Sequence, residues 1–167
     1  MKIIILPGYS PKNKDWANKI KEKLEPNHEI IIHEWKHWEK GSFSLKGELD
    51  AIGHIIAKDT VGIIAKSVGT RVCMNLIPSL SNQINKIILC GIPVKGDSKT
   101  AKDIYSLGLS NIDSNKVMVF QNTKDPFASF ERIKKFIGSI NINIKVIEKP
   151  RKDHHYPYSD DFIEYLG

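Results

Sequence analysis

The stretch GIIAKSVGT, residues 62–70, contains the strongest fold signal in the chain. Its first half is apolar and β-branched, as in a buried strand, and Ser67 stands where that strand would meet a helix. Such a tight turn requires small residues two positions before and after the serine, and Ala65 and Gly69 are both small. The pattern is similar to G-x-S-x-G, which raises a serine hydroxyl above a sheet edge. The local sequence is equally compatible with Ser67 as a simple helix N-cap.

Short apolar runs alternate with longer amphipathic stretches on both sides of this segment. The short runs predict strands at 3–6, 29–33, 61–65, 86–90, 116–120 and 143–147. The longer ones predict helices at 16–24, 43–57, 69–77, 127–140 and 159–166, the third ending before Pro78, with an irregular segment at 91–115. Continuous apolar strands indicate a sheet covered on both faces. The predicted fold class is therefore α/β: a three-layer sandwich with a mostly parallel six-stranded sheet, in one domain spanning 1–167.

Composition excludes several classes of protein. The 167 residues carry a formal net charge of +6, but the positive charge is almost entirely lysine, and no long run of like charges occurs. Because nucleic-acid surfaces usually need arginine, we expect no nucleic-acid partner. No secretory or membrane segment is evident, which predicts a cytoplasmic protein that does not bind membranes.

Neither a metal site nor a redox site is predicted. Cys73 and Cys90 lie inside apolar stretches and form no C-x-x-C pair, so we expect two reduced, buried thiols. His33 and His37 have the spacing of metal ligands on a helix, but His33 ends a predicted strand and no third ligand is near. We therefore expect neither a metal nor a cofactor.

A serine hydroxyl becomes a nucleophile only when a base accepts its proton and an acid orients that base. Asp125 follows the fifth predicted strand, and His154 and His155 follow the last one. Because parallel strands end at one sheet edge, these groups are predicted to meet Ser67 there. A competing role for Asp125 is to cap a helix that starts at Pro126.

The chain order serine, acid, histidine resembles the α/β-hydrolase superfamily. The length and the opening ILPGYSPKNKDW resemble its short serine hydrolases of the retinoblastoma-binding-protein type. The resemblance implies Ser67 as nucleophile, Asp125 as acid and His154 as base, since such proteins often show His, a variable residue and an aromatic (here Tyr156). His155 remains the alternative base, and a displaced acid remains open among Asp97, Asp103 and Asp113.

The same resemblance implies an oxyanion hole formed by the backbone N–H groups of Tyr9 and Val68. The resemblance also implies the activity of a carboxylesterase- or thioesterase-like serine hydrolase that acts on a small-molecule acyl substrate. We expect the protein to be a monomer or a homodimer. The bond cleaved would be a small or short-chain ester or thioester, or an amide. The alternative is a non-catalytic interaction protein with this fold.

Three further residues have predicted positions near this edge. Lys66 stands where the family often has histidine, either at the site mouth, favouring acidic substrates, or as a solvated side chain. Trp35 and Trp38 are predicted to pack under a loop rather than to line an acyl pocket.

Overall fold

A computed structural model describes residues 1–96 and 98–167. The elements alternate along this part of the chain. The strands are β1 (Lys2–Leu6), β2 (Glu29–Ile32), β3 (Val61–Lys66), β4 (Ile84–Cys90), β5 (Val117–Asn122) and β6 (Lys145–Lys149). The helices are α1 (Asn13–Leu24), α2 (Leu45–Ile56), α3 (Val68–Leu80), α4 (Lys99–Ser110), α5 (Phe130–Gly138) and α6 (Ser159–Leu166).

The six strands form one sheet in the order β2-β1-β3-β4-β5-β6, and every neighbouring pair is parallel. The α/β class with helices on both faces is confirmed, and the sheet is parallel throughout rather than mostly parallel. The chain order reverses beside β1, so the loops after β1 and β3 leave the same edge side by side. Loops at such a point are where ligands bind in sheets of this kind.

Two apolar cores hold the layers together. One lies between the sheet and helices α1 and α6, and contains Trp16 and Phe162 among its buried side chains. The other lies between the sheet and helices α2 to α5, and contains Ile52, Val72 and Ile133. The strands contribute alternate side chains to the two cores because successive residues of a strand face opposite sides.

The prediction of an irregular segment at 91–115 is wrong over much of its length, because α4 lies within this segment. The Ser98 hydroxyl accepts a hydrogen bond from Ala101 N–H and so caps the helix start. Tyr105 and Leu109 are buried against the second core. This one apolar face, rather than the polar composition of the segment, stabilises the helix.

Several helix boundaries also differ from the prediction, and two of the differences have a clear physical cause. Helix α3 continues to Leu80 although Pro78 lies inside it, since the proline falls in the last turn of a helix already fixed by its buried face. Helix α5 begins at Phe130, with the Ser129 side chain as its cap, and not at residue 127. Asp125 is therefore not the N-cap of this helix.

Among the described residues, no helix combines the length and apolar character that a membrane crossing requires.

Candidate active site

Ser67 occupies a strained turn between β3 and α3. Its backbone has φ 54° and ψ −119°, a conformation that residues with a side chain rarely adopt. Its N–H donates to Cys90 O (2.9 Å), which ties the turn to the end of β4. The side chain makes no capping hydrogen bond, so the prediction of Ser67 as an ordinary N-cap is wrong. The hydroxyl is left available at the edge of the sheet.

A small residue is required at Gly69, two positions after the serine, because the backbones of α3 and β1 pack closely there. A Cβ added to Gly69 would lie 2.1 Å from Leu6 O, well inside van der Waals contact. Helix α3 therefore starts directly against the end of β1. This contact brings the loop after β1 next to Ser67.

Asp125 and His154 form a buried hydrogen-bonded pair at the same edge. His154 Nδ1–H donates to Asp125 Oδ2 at 2.6 Å, and the aspartate side chain is fully buried. The Tyr156 hydroxyl donates to the same oxygen at 2.6 Å. The other oxygen, Oδ1, accepts from Phe127 N–H at 2.8 Å, which closes the turn before α5. One carboxylate thus holds its own loop and orients the imidazole.

These hydrogen bonds decide the ionisation state of Asp125. Burial acts to raise the pKa of this carboxyl, whereas the hydrogen bonds from His154, Tyr156 and Phe127 N–H act to lower it. Their combined effect exceeds that of burial, and the pKa lies below its ordinary value. Asp125 is therefore an anion at neutral pH and can stabilise a charged imidazole.

The second ring nitrogen of His154 is free. Nε2 is buried and has no hydrogen-bond partner among the described residues. A Cβ on Gly91 would lie 2.8 Å from His154 Cε1, so the imidazole packs directly on the residue after β4. Since Ser67 N–H bonds to Cys90 O, the turn bearing the serine and the imidazole meet at adjacent residues of the β4 end. A buried imidazole nitrogen without a partner is available to accept a proton.

The residues considered as an alternative base or a displaced acid do not join this pair in the described structure. His155 is exposed, and no hydrogen bond joins its ring to Asp125 among the described residues. Asp103 lies exposed on α4 and Asp113 lies exposed before β5. Asp97 lies outside the described residues. The geometry therefore brings together His154 and Asp125 and leaves His155 outside that pair.

The loop after β1 is braced by aromatic side chains from residues 35–38. Trp35 Nε1–H donates to Gly8 O (3.1 Å) and Pro7 O (3.3 Å) from a fully buried position. Carbonyl and N–H point in opposite directions across a trans peptide, so the Tyr9 N–H points away from Trp35. No acceptor for the Tyr9 N–H is found within 1–96 or 98–167.

Val68 supplies the second predicted donor. It is the first residue of α3, where backbone N–H groups have no partner inside the helix. The macrodipole adds partial positive charge at the same end. Both features favour the binding of an anion at this position.

Lys66 is not a solvated side chain, so that prediction for it is wrong, whereas a position near the site mouth stays a prediction. It is 5% exposed, its Nζ donates to Asn13 Oδ1 (2.5 Å), and it lies 5.5 Å from the centre of the Trp16 ring. Burial lowers the pKa of its ammonium. Asn13 Nδ2 in turn donates to Ser10 O, so Lys66 connects the end of β3 to the loop after β1.

Sequence reasoning missed the side chains that support this site. Trp35 was expected to pack under a loop, which it does, but its two hydrogen bonds to Pro7 and Gly8 were not foreseen. Tyr156 was predicted only as the aromatic of a family pattern, and the bond from its hydroxyl to Asp125 depends on contacts 31 residues apart. His33 donates from Nε2 to Glu48 Oε2 (2.6 Å) and so has a structural partner. In the described part of the chain, no group of three His, Cys, Asp or Glu side chains is arranged to hold a metal.

Solved structures are similar to this chain over nearly its whole length. The ydeN gene product of Bacillus subtilis has a TM-score of 0.67 and 18% identity, covering 99% of this chain and 98% of that one. An esterase from Exiguobacterium antarcticum has a TM-score of 0.74 at 12% identity, covering 99% and 91%. A lid-less α/β serine hydrolase from Xanthomonas campestris has a TM-score of 0.73 at 15% identity, covering 99% and 78%.

The chain has the α/β-hydrolase fold. The sequence matches no protein-family model, and the comparison with curated proteins finds no relative. At these identities the likeness establishes the fold alone, so the activity depends on the local geometry. The more specific resemblance to the retinoblastoma-binding-protein type stays a prediction.

Proposed function

We propose that this protein is a serine hydrolase in which Ser67, His154 and Asp125 act together on a small or short-chain ester or thioester. The observation that carries the proposal is the state of His154. Its Nδ1–H is held by Asp125, while its Nε2 is buried and unpaired among the described residues at the edge that bears Ser67. What distinguishes His154 from the other histidines with unpaired nitrogens is its hydrogen bond to the buried carboxylate of Asp125.

The reaction would begin when Ser67 Oγ attacks the substrate carbonyl carbon and His154 Nε2 accepts the hydroxyl proton. The carbonyl electron pair moves onto oxygen, and the N–H groups of Tyr9 and Val68 would stabilise the resulting charge. Asp125, an anion at neutral pH, stabilises the protonated imidazole. The imidazolium then protonates the departing alkoxide or thiolate, which leaves an acyl-serine.

Hydrolysis of the acyl-serine would use the same groups in reverse. Water gives a proton to His154 Nε2 as its oxygen attacks the acyl carbon, and the collapse of the second tetrahedral intermediate returns that proton to Ser67. No cofactor is consumed in either half. The acid released carries the acyl group of the substrate.

The side chains around His154 favour a small acyl group. The Phe127 ring lies 4.4 Å from the imidazole and is 41% exposed, and Tyr9 is 55% exposed in the loop beside Ser67. Exposed aromatic rings next to polar reacting groups can contact a short apolar substrate.

The experiment is labelling with a fluorophosphonate probe together with turnover of 4-nitrophenyl acetate. We expect the native protein to be labelled and to hydrolyse the ester, and Ser67→Ala to do neither while it melts at an unchanged temperature. Ser44→Ala, which removes a hydroxyl that caps α2, is the matched control and should keep both properties. A native protein that is neither labelled nor active would favour the non-catalytic interaction protein.

A further inference from the structure

Two adjoining cavities flank the connection between β4 and α4, and both are lined by basic side chains. The larger, about 570 Å³, is lined by a group of four cations: Lys99, Lys102, Arg132 and Lys135. The smaller, about 260 Å³, is lined by Arg71 and Lys95. Val94 and Ser98 border both cavities, so the two adjoin, and together they are called the basic cleft. The larger volume alone is in the range of small-molecule sites.

The charge of the basic cleft is not neutralised by the residues that the structure describes. None of its six cations takes part in a salt bridge within 1–96 or 98–167. No described residue in the lining carries a carboxylate.

The placement of the arginines is not explained by the general lysine richness of the sequence. The chain has three arginines, and the third, Arg151, is paired with Asp153. The other two, Arg71 and Arg132, both line the cleft. Arginine is the side chain that binds phosphate oxygens with two parallel hydrogen bonds.

The cleft begins next to the candidate active site. Lys95 Nζ lies 5.1 Å from the centre of the Phe127 ring, and that ring lies 4.4 Å from the His154 ring. Arg71 is on α3, four residues after Ser67. A ligand in the cleft could therefore extend to the reacting groups.

We propose that the basic cleft binds the phosphoryl group of a small organic molecule. The six cations and the Ser98 hydroxyl supply donors to phosphoryl oxygens, while Val94 and Phe136 offer apolar contact to the body of the ligand. The position beside His154 assigns this ligand as the hydrolase substrate, a phosphorylated ester or thioester. That assignment rests on the proposed function, whereas the binding of a phosphoryl group does not.

The first experiment measures binding without any catalytic readout. Calorimetry at constant ionic strength would be performed with inorganic pyrophosphate and with adenosine 5′-diphosphate. We expect both to bind the native protein, and the double variant R132Q/K135Q to bind at least about tenfold more weakly, since two charged hydrogen bonds are lost. The control K46Q/K134Q removes the same charge from exposed positions outside the cleft and should bind as the native protein does. Absence of binding, or equal weakening in both double variants, would overturn the proposal.

The second experiment separates a substrate from an independent ligand. Hydrolysis of phenyl acetate would be compared with that of 4-acetoxyphenyl phosphate. A higher kcat/KM for the phosphorylated ester, lost in R132Q/K135Q but kept in K46Q/K134Q, supports the substrate assignment. Pyrophosphate binding with no such preference overturns that assignment and leaves a site for a separate phosphorylated ligand. Fluorophosphonate labelling without pyrophosphate binding would reject the phosphoryl site and keep the proposed hydrolase. Pyrophosphate binding without fluorophosphonate labelling would keep the phosphoryl site and reject the proposed hydrolase.

Discussion

The two halves of the candidate active site are organised in different ways. In the acid–histidine half, both Asp125 oxygens are occupied, by Phe127 N–H on one side and by His154 and Tyr156 on the other. In the nucleophile half, the Ser67 hydroxyl and the Tyr9 N–H have no partner among the described residues. In the first half, the hydrogen bonds of Asp125 are all made within the protein. In the second half, the backbone fixes the position of a hydroxyl and an N–H group that have no partner among the described residues. This difference predicts which substitutions will affect stability and which will affect activity alone.

The largest expected effect separates the two histidines that follow β6. His154→Ala should lower ester turnover by about 10⁵-fold, because the proton acceptor for Ser67 is removed. His155→Ala is the matched control, since His155 is the adjacent exposed imidazole and has no bond to Asp125 among the described residues. Its turnover should stay within a few-fold of the native value. Equal loss in both variants, or loss in His155→Ala only, would contradict the assignment of the base.

The next effect tests how closely α3 packs on β1 behind the nucleophile. Gly69→Ala should lower the free energy of unfolding by about 3 kcal/mol, because the new methyl would overlap Leu6 O. Gly53→Ala is the control, as Gly53 lies inside α2 with nothing within 4 Å of an added Cβ. It should raise the free energy of unfolding by about 0.5–1 kcal/mol. Chemical denaturation of both variants measures the two values, and similar values would show that the packing behind Ser67 can adjust.

These contacts also show what the sequence could and could not predict. The order of strands along the chain followed from apolar runs such as 61–65 and 86–90, because a strand buried on both faces needs nothing else. Helix α4 was missed because polar residues fill most of its length and only one face is buried. The turn at Ser67 was predictable because tight packing restricts residue size locally. The support of Gly8 by Trp35 was not, because it joins segments 27 residues apart through tertiary contact.

The position of the acid was predictable only in part. Asp125 was placed correctly after β5, but the next helix was expected to start at residues 126–127, which left open a competing role for Asp125 as its cap. Ser129 performs that role instead, which leaves one Asp125 oxygen for His154 and Tyr156. Which of two polar residues caps a helix depends on small differences in backbone geometry that the sequence pattern does not contain.

A smaller effect concerns the orientation of the Tyr9 N–H. Trp35→Phe removes the indole N–H that holds the Gly8 carbonyl, so the peptide bearing the Tyr9 N–H can rotate. We expect kcat for 4-nitrophenyl acetate to fall by about tenfold to a hundredfold with little change in KM, as when an oxyanion donor is misplaced. Trp38→Phe is the control, because Trp38 bonds to the next carbonyl, Tyr9 O, which His37 also holds. An equal fall in both variants would mean that the whole loop, rather than one peptide, had moved.

The smallest effect concerns the buried ammonium of Lys66. Burial lowers the pKa of this ammonium in the folded protein from the ordinary value of 10.5. At a pH between the folded-state pKa and 10.5, Lys66 is therefore protonated in the unfolded chain and has lost its proton in the folded chain. Burial of the charge therefore opposes folding fully below that range, and the penalty is relieved as pH rises through it. The melting temperature of the native protein should rise relative to that of Lys66→Met between neutral pH and pH 10.5. Lys58→Met, at an exposed position after α2, should show no such trend. Parallel melting curves for native protein and Lys66→Met would mean that water reaches the ammonium and relieves the cost of its burial.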